Sequence, residues 1–513
     1  MKNFRKSLSV ILSVIMLFSL FSISLTASAA SFITYENLGD FAVVSGCSPT
    51  ASGIIEIDAT YEGVPVTEIG NSVFEDIAGI KKIIVPASVT KVGNLAFANC
   101  TGLESVEFKG SECILGTGVF RSCGKLADVV LPSDLKTIPK QTFFDCSELK
   151  NISIPSSVTA IETEAFATCS ALKSVTIPAK VSSIGLNAFV RCSSVTAYDV
   201  ESGNITYKDI SGVLFDAAGR TLIQYPNGND ATSIIVPEGT KNIGESAFAG
   251  NRKIKTVTLP ESLETIEDYA FQYCESLENA ELPSYVKTLG KEAFGRCSAL
   301  KSVAIPSTLT TYEYAFYMAG LETVTIKNGA KDISRNAFEK CDELANVSIP
   351  DSVKTIGIAA FIDCESLESI TVPASVTSIG NKAFSGCDSL VMTVEKGSAA
   401  HTYADDNNIP FNFIGSSGEL AITGIEITKL PAKLDYNYKD TFNKAGMVVV
   451  AQYSDGSQKE ITDYKVSPDT FTKTGSHKVT VEYQGYTDTL SVSVSYSFIQ
   501  IIILIFMLGF LWY

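Results

Sequence analysis

The stretch from Ile161 to Val181, IETEAFATCSALKSVTIPAKV, decides the fold because its pattern returns along most of the chain. Its phenylalanine recurs in two blocks at a step of 23 residues, which is twice shortened to 22. A repeat of this length predicts stacked coils, each of which buries its apolar side only against its neighbours. The recurring residues are Phe74, Phe97, Phe120, Phe143, Phe166, Phe189, Phe248, Phe271, Phe294, Phe316, Phe338, Phe361 and Phe384.

Each repeat contains one short strand pattern. The segment from Leu172 to Ile177 alternates apolar and polar residues, which predicts a strand with one buried face that pairs in parallel with the same strand of the next coil. Pro178 lacks an N–H group and should end the strand. Gly185 suits a turn that needs permissive backbone angles, and we expect the Phe166 segment to form one helical or 3₁₀ turn.

This repeat resembles the BspA-like leucine-rich repeat family of bacterial surface proteins over about residues 60–414. The resemblance implies a repeat solenoid with a parallel β ladder and short helical turns. Within it we expect an N-terminal cap at 30–70 and a solenoid at 71–414, with an enlarged coil at 196–235 and a terminal cap at 394–414. In the enlarged coil, the run from Asn204 to Phe215 predicts a hairpin.

Most cysteines lie three residues after a repeat phenylalanine, at Cys100, Cys123, Cys146, Cys169, Cys192, Cys274, Cys297, Cys341, Cys364 and Cys387. Disulfide or metal binding is one interpretation, and a structural ladder of buried small side chains is the other. Parallel strands lie about 4.8 Å apart, whereas the Cβ atoms of a disulfide lie about 3.5–4.5 Å apart. No C-x-x-C pair is present, so we expect the ladder, without metal or cofactor. Whether any cysteines pair stays open.

The two ends of the chain carry targeting patterns. Basic residues at Lys2, Arg5 and Lys6 precede an apolar run and the Ala27-Ser28-Ala29 site, which predicts a cleaved signal peptide at residues 1–29 and an exported protein. At the other end, residues 498–513 are apolar apart from Gln500 and are short for a membrane span. Two interpretations remain, a C-terminal transmembrane anchor and a truncated or out-of-frame tail.

A second domain follows the repeats. Residues 415–420 are rich in Gly and Ser and predict a flexible linker, and residues 421–496 show short alternating strands separated by turns. This region resembles the bacterial Ig-like domains of group 3, which implies an all-β sandwich that serves as a spacer or contributes to binding.

The composition argues against catalysis and against nucleic acid as a partner. The chain has a formal net charge of −16, which disfavours nucleic acid and anionic membrane surfaces. It contains only two histidines, His401 and His477, and neither lies near a cysteine in sequence. No phosphate loop, dinucleotide fingerprint or HExxH motif is present. We therefore expect a protein that is not an enzyme.

Binding should occur where the repeat is irregular. The residues that point outward from the strands are mostly Ser, Thr and Asn, and this polar ladder either contributes to binding or only solvates the sheet. The first coils and the enlarged coil depart from it. The candidate partner-binding residues are Lys82, Ile84, Glu107, Asp128 and Val130 in the first coils, and Tyr198, Tyr207, Phe215 and Tyr225 in the enlarged coil.

Two functions are compatible with these features, and a third is not supported by them. The resemblance implies a cell-surface adhesion protein that presents its solenoid on an Ig-like stalk and binds a protein or cell-surface ligand of a host, a matrix or a neighbouring cell. The alternative is a structural envelope component that self-associates without a foreign ligand. A secreted hydrolase or carbohydrate-processing accessory lacks both a catalytic pair and an aromatic platform. The identity of the ligand and the oligomeric state cannot be read from the residues.

Overall fold

A computed structural model describes residues 32–414, 422–453 and 456–502. The predicted signal peptide, the linker at 415–420 and residues 503–513 of the apolar tail lie outside the described residues. The chain divides into two compact units. The first runs to Ala218 and includes Gln224–Asn229, and the second holds Gly219–Ile223 and the chain from Asp230 onward.

The first unit is built from short β-strands. Its strands are β1 Ile33–Asn37, β2 Ala42–Cys47, β3 Gly53–Glu56, β4 Thr60–Tyr61, β5 Val64–Ile69, β6 Ile80–Val85, β7 Lys91–Val92, β8 Ser105–Phe108, β9 Ile114–Leu115, β10 Asp128–Val130, β11 Thr137–Ile138, β12 Ala160–Ile161, β13 Ser174–Ile177, β14 Ser183–Ile184, β15 Ala197–Val200, β16 Tyr207–Ile210 and β17 Val213–Asp216.

Two parallel ladders connect successive coils of the first unit. The longer strands of the repeat pair in register, as β3, β6, β8 and β10 do, and β13 pairs with β15. The two-residue strands form a second ladder, in which β5 pairs with β7 and β7 with β9. At the start of the unit, β1 and β2 form an antiparallel pair, and β2 joins β5 in parallel. The expected parallel β ladder is therefore confirmed.

The phenylalanine segment forms a third ladder rather than a continuous helical turn. The N–H groups of Leu95, Phe97 and Asn99 donate to carbonyls of the following coil at 2.8, 3.0 and 2.7 Å. Between them, Ala98 N–H donates to the Leu95 carbonyl of its own coil at 3.0 Å, a bond of the 3₁₀ type. Because alternate N–H groups leave the coil, the segment cannot continue as a helix. Leu95 and Asn99 take left-handed angles, with φ of 55° and 56°.

The repeat phenylalanines stack through the core. In the first unit the rings from Phe74 to Phe189 are buried, and neighbouring centroids lie 5.1–5.5 Å apart with nearly parallel planes. In the second unit the rings from Phe248 to Phe384 stack at 4.7–5.6 Å. Offset stacking at this spacing is a favoured aromatic geometry, which explains why the repeat keeps the same side chain at this position.

Glycine in the repeat serves close packing rather than unusual backbone angles. Gly185 has no left-handed φ, but a Cβ atom on it would lie 2.3 Å from the backbone nitrogen of Thr163 in the preceding coil. The equivalent Gly290 and Gly380 show the same 2.3 Å approach. The expectation that this glycine supplies permissive angles is therefore wrong, because the constraint is the approach of two backbones.

The second unit continues the same architecture to a helical cap. Its elements are β18 Thr221–Gln224, β19 Ser233–Ile235, β20 Asn242–Ile243, β21 Thr256–Thr258, β22 Thr265–Ile266, β23 Asn279–Ala280, β24 Thr288–Leu289, β25 Ser302–Ile305, β26 Thr323–Ile326, β27 Asp332–Ile333, β28 Asn346–Ser348, β29 Thr355–Ile356, β30 Ser369–Val372, β31 Ser378–Ile379, β32 Val391–Val394, α1 Ala399–Asp406 and β33 Phe411–Phe413. The Ser398 hydroxyl caps α1 by accepting from His401 N–H at 3.2 Å.

Residues 422–496 form two sheets, as expected of an Ig-like sandwich. The strands are β34 Ile422–Lys429, β35 Asp435–Asn437, β36 Val448–Tyr453, β37 Gln458–Ile461, β38 Lys465–Ser467, β39 Gly475–Tyr483 and β40 Tyr486–Ser495. One sheet has the order β34-β36-β37 and the other β35-β40-β39-β38. Between them lies an apolar core that includes Val449, Phe471, Val479 and Val481.

Candidate interaction surface

Eight outward-facing residues of the first coils lie on one continuous sheet, which we call the N-terminal strand face. Strand register places them in two rows across β3, β6, β8 and β10, one from each strand. Neighbouring strands in a sheet lie about 4.8 Å apart, so successive residues of a row are in reach of each other. The first row is Ile54, Lys82, Ser105 and Asp128, and the second is Glu56, Ile84, Glu107 and Val130.

The N-terminal strand face carries both apolar and charged side chains. Successive residues of each strand alternate between the core and the solvent. Ile83 and Val106 point inward and are buried, whereas their neighbours point outward. Ile54 and Val130 are 62% and 57% exposed. Large aliphatic side chains that stay this exposed on a regular sheet contribute nothing to its core.

Ion pairs lie between these aliphatic residues. Lys82 Nζ lies 3.1 Å from Glu107 Oε2, and Lys109 contacts the same carboxylate. Hydrogen bonds from Lys109 and then from Lys82 lower the pKa of Glu107 below its ordinary value. Glu107 is therefore ionised across the physiological range. The structure thus brings the predicted residues Lys82, Ile84, Glu107, Asp128 and Val130 together.

Three of the four aromatic residues predicted for the enlarged coil are buried. Tyr198, Phe215 and Tyr225 are only 2%, 1% and 3% exposed. Tyr207 is half-buried, and its hydroxyl accepts a hydrogen bond from Ile184 N–H at 2.8 Å. The burial of Tyr198, Phe215 and Tyr225 contradicts their selection as partner-binding residues, whereas for the half-buried Tyr207 the selection stays a prediction. The hairpin turns at Ser211 and Gly212, both with positive φ, as in a type I′ turn.

Every cysteine of the predicted ladder is buried and makes the same contact. Its Sγ–H donates to the carbonyl of the repeat phenylalanine one coil earlier, as Cys146 does to Phe120 at 3.1 Å and Cys297 to Phe271 at 3.1 Å. All are free thiols in the structure. Burial raises the pKa of Cys192 and of Cys297 to about 12, so these thiols stay protonated and unreactive at neutral pH.

This hydrogen bond was not anticipated from the sequence, which indicated packing alone. The equivalent contacts at 3.0–3.2 Å are made by Cys100, Cys123, Cys169, Cys192, Cys274, Cys341, Cys364 and Cys387. The recurrence of cysteine three residues after most repeat phenylalanines was a usable signal, although Ile77, Asn251 and Ala319 occupy the same position in the other coils.

Two further features escaped sequence reasoning. Ile54 and Glu56 extend the N-terminal strand face, but they lie 28 residues before Lys82 and Ile84 and so fall outside the 23-residue period. In the second unit, Arg296 lies between the rings of Tyr273 and Tyr317 at 5.1 and 5.3 Å. This cation–π arrangement joins three successive coils on their turn side rather than on the strands.

The described residues were also compared with the ligand sets that hold metal ions. Among residues 32–414, 422–453 and 456–502, no group of three or more His, Cys, Asp or Glu side chains could hold a metal ion. His401 belongs to the terminal cap, where its ring packs on Phe411 and Phe413 at 4.8 and 5.0 Å and its Nδ1 accepts from Gly397 N–H. In the same described part of the chain, no helix has the length and apolarity needed to cross a membrane.

Comparison with protein families agrees with the geometry of the coils. The BspA type leucine rich repeat region matches residues 67–196, 225–345 and 310–398, which together make up more than half of the chain. The chain belongs to the BspA-type leucine-rich repeat family. The BspA-type repeats are followed by a match to the bacterial Ig-like domain, group 3, at residues 430–494. Repeat folds of this kind are typically interaction scaffolds rather than catalysts.

Solved structures of other repeat proteins are similar to these BspA-type repeats. A leucine-rich repeat protein from Eubacterium ventriosum is 20% identical, with a TM-score of 0.50 over 69% of this chain and 93% of that one. A leucine rich cell surface protein from Faecalibacterium prausnitzii is 25% identical, with a TM-score of 0.47 over 72% of this chain and 95% of that one. The first likeness supports the fold. A search of the curated proteins found no match.

Proposed function

We propose that this protein is an exported, non-enzymatic surface protein that binds another protein through the N-terminal strand face. The observation that carries the proposal is the pairing of exposed aliphatic residues, Ile54 and Val130, with an ionised cluster around Glu107 on one sheet. Elsewhere the outward strand residues are mostly Ser, Thr and Asn. Adhesion to a host, matrix or neighbouring cell is the form of binding that we infer.

The chemistry of the face indicates the kind of partner. Glu56, Glu107 and Asp128 are acidic, whereas Lys82 is the one basic residue of the eight that form the face. A protein with basic side chains flanked by apolar ones is complementary to this pattern, because Ile54 and Val130 lie on the outer strands and Glu107 lies between them. Charge complementarity mainly accelerates and orients association, and burial of the exposed aliphatic residues adds apolar contact.

Other parts of the chain support a location outside the cell. The basic residues, apolar run and Ala27-Ser28-Ala29 site of residues 1–29 have the layout of a secretory signal. The Ig-like domain after the repeats is suited to a spacer. In this proposal it lies between the envelope and the repeats.

The test is capture of partners by the secreted chain with single substitutions on the face. Val130→Arg and Ile54→Arg place a bulky cation among the aliphatic anchors, and because both residues are exposed, neither change disturbs the core. We expect each to reduce binding to an identified partner at least tenfold. Ile114→Arg is the matched control, since Ile114 is 71% exposed but lies on β9, outside the face.

Two results would contradict the proposal. Equal binding by the control and both face variants would show that the N-terminal strand face is not the contact surface. Capture of nothing but further copies of this chain from intact cells would replace foreign-protein binding with self-association in the envelope.

A further inference from the structure

Within the second unit, the Ig-like domain lies against the outward face of the repeat strands. The β39–β40 hairpin, with Gln484 and Gly485 at its tip, faces the outward residues of β26 and β28. Tyr486 at the start of β40 lines two cavities at this contact, of about 190 and 300 Å³. The contacted residues are Thr323 and Thr325 of β26 and Asn346 and Ser348 of β28, which form two polar columns, Thr323–Asn346 and Thr325–Ser348.

Charged groups border this contact. Lys478 Nζ of β39 lies 3.8 Å from Glu261 and 3.5 Å from Glu281 of the repeats. Lys327 Nζ lies 3.9 Å from Asp488 of β40 and donates to the Thr487 carbonyl at 3.5 Å. In the first group the lysine belongs to the Ig-like domain and the carboxylates to the repeats, and in the second group the lysine belongs to the repeats and the carboxylate to the Ig-like domain. That complementarity fixes the orientation of the domain on the sheet.

A neutral hydrogen bond also joins the Ig-like domain to the repeats. Ser348 Oγ donates to the Thr423 carbonyl of β34 at 3.0 Å. Asp488 is itself held in place, because its second carboxylate oxygen accepts from Ile427 N–H at 2.8 Å. Burial at the contact lowers the pKa of Lys327 below its ordinary value, and 30% of its side chain remains exposed.

The contact is polar and cannot be strong. Its ion pairs are long and remain partly exposed, and such pairs contribute a factor of about five or less to an equilibrium constant. Cavities at the contact leave it loosely packed. The chain between Ile414 and Ile422 is short, however, and a short tether gives an effective concentration in about the millimolar range. At that effective concentration, weak interactions are enough to keep the Ig-like domain docked on the repeats.

We propose that the Ig-like domain is a reversible cover for the strand face of the second unit. In the closed state it occupies the columns around Thr325 and Ser348, so that an outside protein reaches them only after the domain is released. The occupant is the Ig-like domain of the same chain. This inference is independent of the proposed function, which concerns the strand face of the first unit.

Zero-length carbodiimide cross-linking of the full chain tests the contact, since it joins only lysines and carboxylates that touch. We expect cross-linked peptides joining Lys478 to Glu261 or Glu281, in monomeric protein and at low salt. At about 1 M salt, where the Debye length is about 3 Å, their yield should fall severalfold. The internal control is Lys433 with Asp440, which lie 2.8 Å apart within the Ig-like domain. Its yield should change less.

Exchanging the charges then tests whether the contact between the domains depends on these particular ion pairs. Lys478→Glu should reduce the Lys327–Asp488 cross-link about fivefold or more, and adding Glu261→Lys and Glu281→Lys should restore it. Lys465→Glu, on the neighbouring strand β38, is the matched control and should have no effect.

Three results would overturn the proposal. The first is a strong Lys433–Asp440 cross-link without any between the domains. The second is a cross-link between the domains whose yield changes neither with salt nor with Lys478→Glu, which would mean that the Ig-like domain is permanently fixed on the repeats. The third is cross-linking in dimers alone, which would make the occupant a second copy.

Discussion

Replacing one ring in the phenylalanine stack should reveal how much the stacking itself contributes to stability. Phe143 is fully buried between Phe120 and Phe166, at centroid distances of 5.5 and 5.2 Å. Phe74 is equally buried at the start of the stack and has one stacked neighbour, Phe97, at 5.1 Å. A stacked pair is worth about 0.5–1.5 kcal/mol beyond its buried area.

The comparison of the two positions isolates this contribution. Phe143→Leu removes two pairs and should lower the free energy of unfolding by about 1–3 kcal/mol from stacking, together with a smaller packing loss. Phe74→Leu removes one pair and has a similar packing loss. The interior variant should therefore be less stable than the terminal one by about 0.5–1.5 kcal/mol.

Urea unfolding followed by far-UV circular dichroism measures the difference, and the m-value must stay constant for the comparison to hold. Phe143→Ala serves as the upper reference, since it also opens a cavity and should cost about 3–5 kcal/mol. Equal losses at Phe143 and Phe74, or a larger loss at Phe74, would refute the idea that ring stacking adds to burial here.

Two further predictions concern the repeat glycine and the thiols. Gly185→Ala should cost about 1–3 kcal/mol of stability, because the new methyl meets the Thr163 backbone. Gly124→Ala is the control and should be nearly neutral, because a Cβ atom there would lie 3.5 Å from its nearest neighbour, Ser147 Oγ, and Gly124 has no left-handed φ. Equal shifts of the melting temperature for the two variants would argue against the close backbone approach at Gly185. Burial raises the pKa of Cys192 to about 12, above about 8.5 for an unfolded thiol. The contribution of this thiol to stability should therefore be constant below about pH 8.5 and fall above it by up to about 1.4 kcal/mol per pH unit, until the folded pKa is reached. Cys192→Ala should flatten the alkaline decline of the urea midpoint, and an unchanged slope would mean that Cys192 titrates normally.

Much of the fold follows from sequence pattern. The strand from Ser174 to Ile177, its parallel pairing and the coil boundaries are all readable, because each coil contacts only its neighbours and inward residues must therefore repeat. The same regularity misled the interpretation of glycine. A close backbone approach and a left-handed turn both favour glycine, and sequence alone does not distinguish them.

The candidate surface was only partly readable from the sequence. Lys82 and Glu107 were found because they interrupt a polar column, whereas Ile54 lay outside the period. The enlarged coil was judged wrongly because an aromatic residue such as Tyr198 or Phe215 is equally suited to a partner and to a wider core. Burial decides between these roles, and burial depends on how the hairpin folds back over its coil.

By itself, the sequence determined the repeat, the direction of strand pairing and the ladders of phenylalanine and cysteine. These follow from contacts at a constant sequence separation, so a periodic pattern encodes them. Tertiary structure alone decided the Sγ–H hydrogen bonds, the burial of the aromatic residues and the meeting of Lys478 with Glu261 and Glu281. The aromatic burial and the Lys478 contacts involve residues at no fixed separation. The Sγ–H bonds recur at a separation of 25 or 26 residues, but like the other contacts they depend on distances and solvent exposure that exist only once the chain has folded.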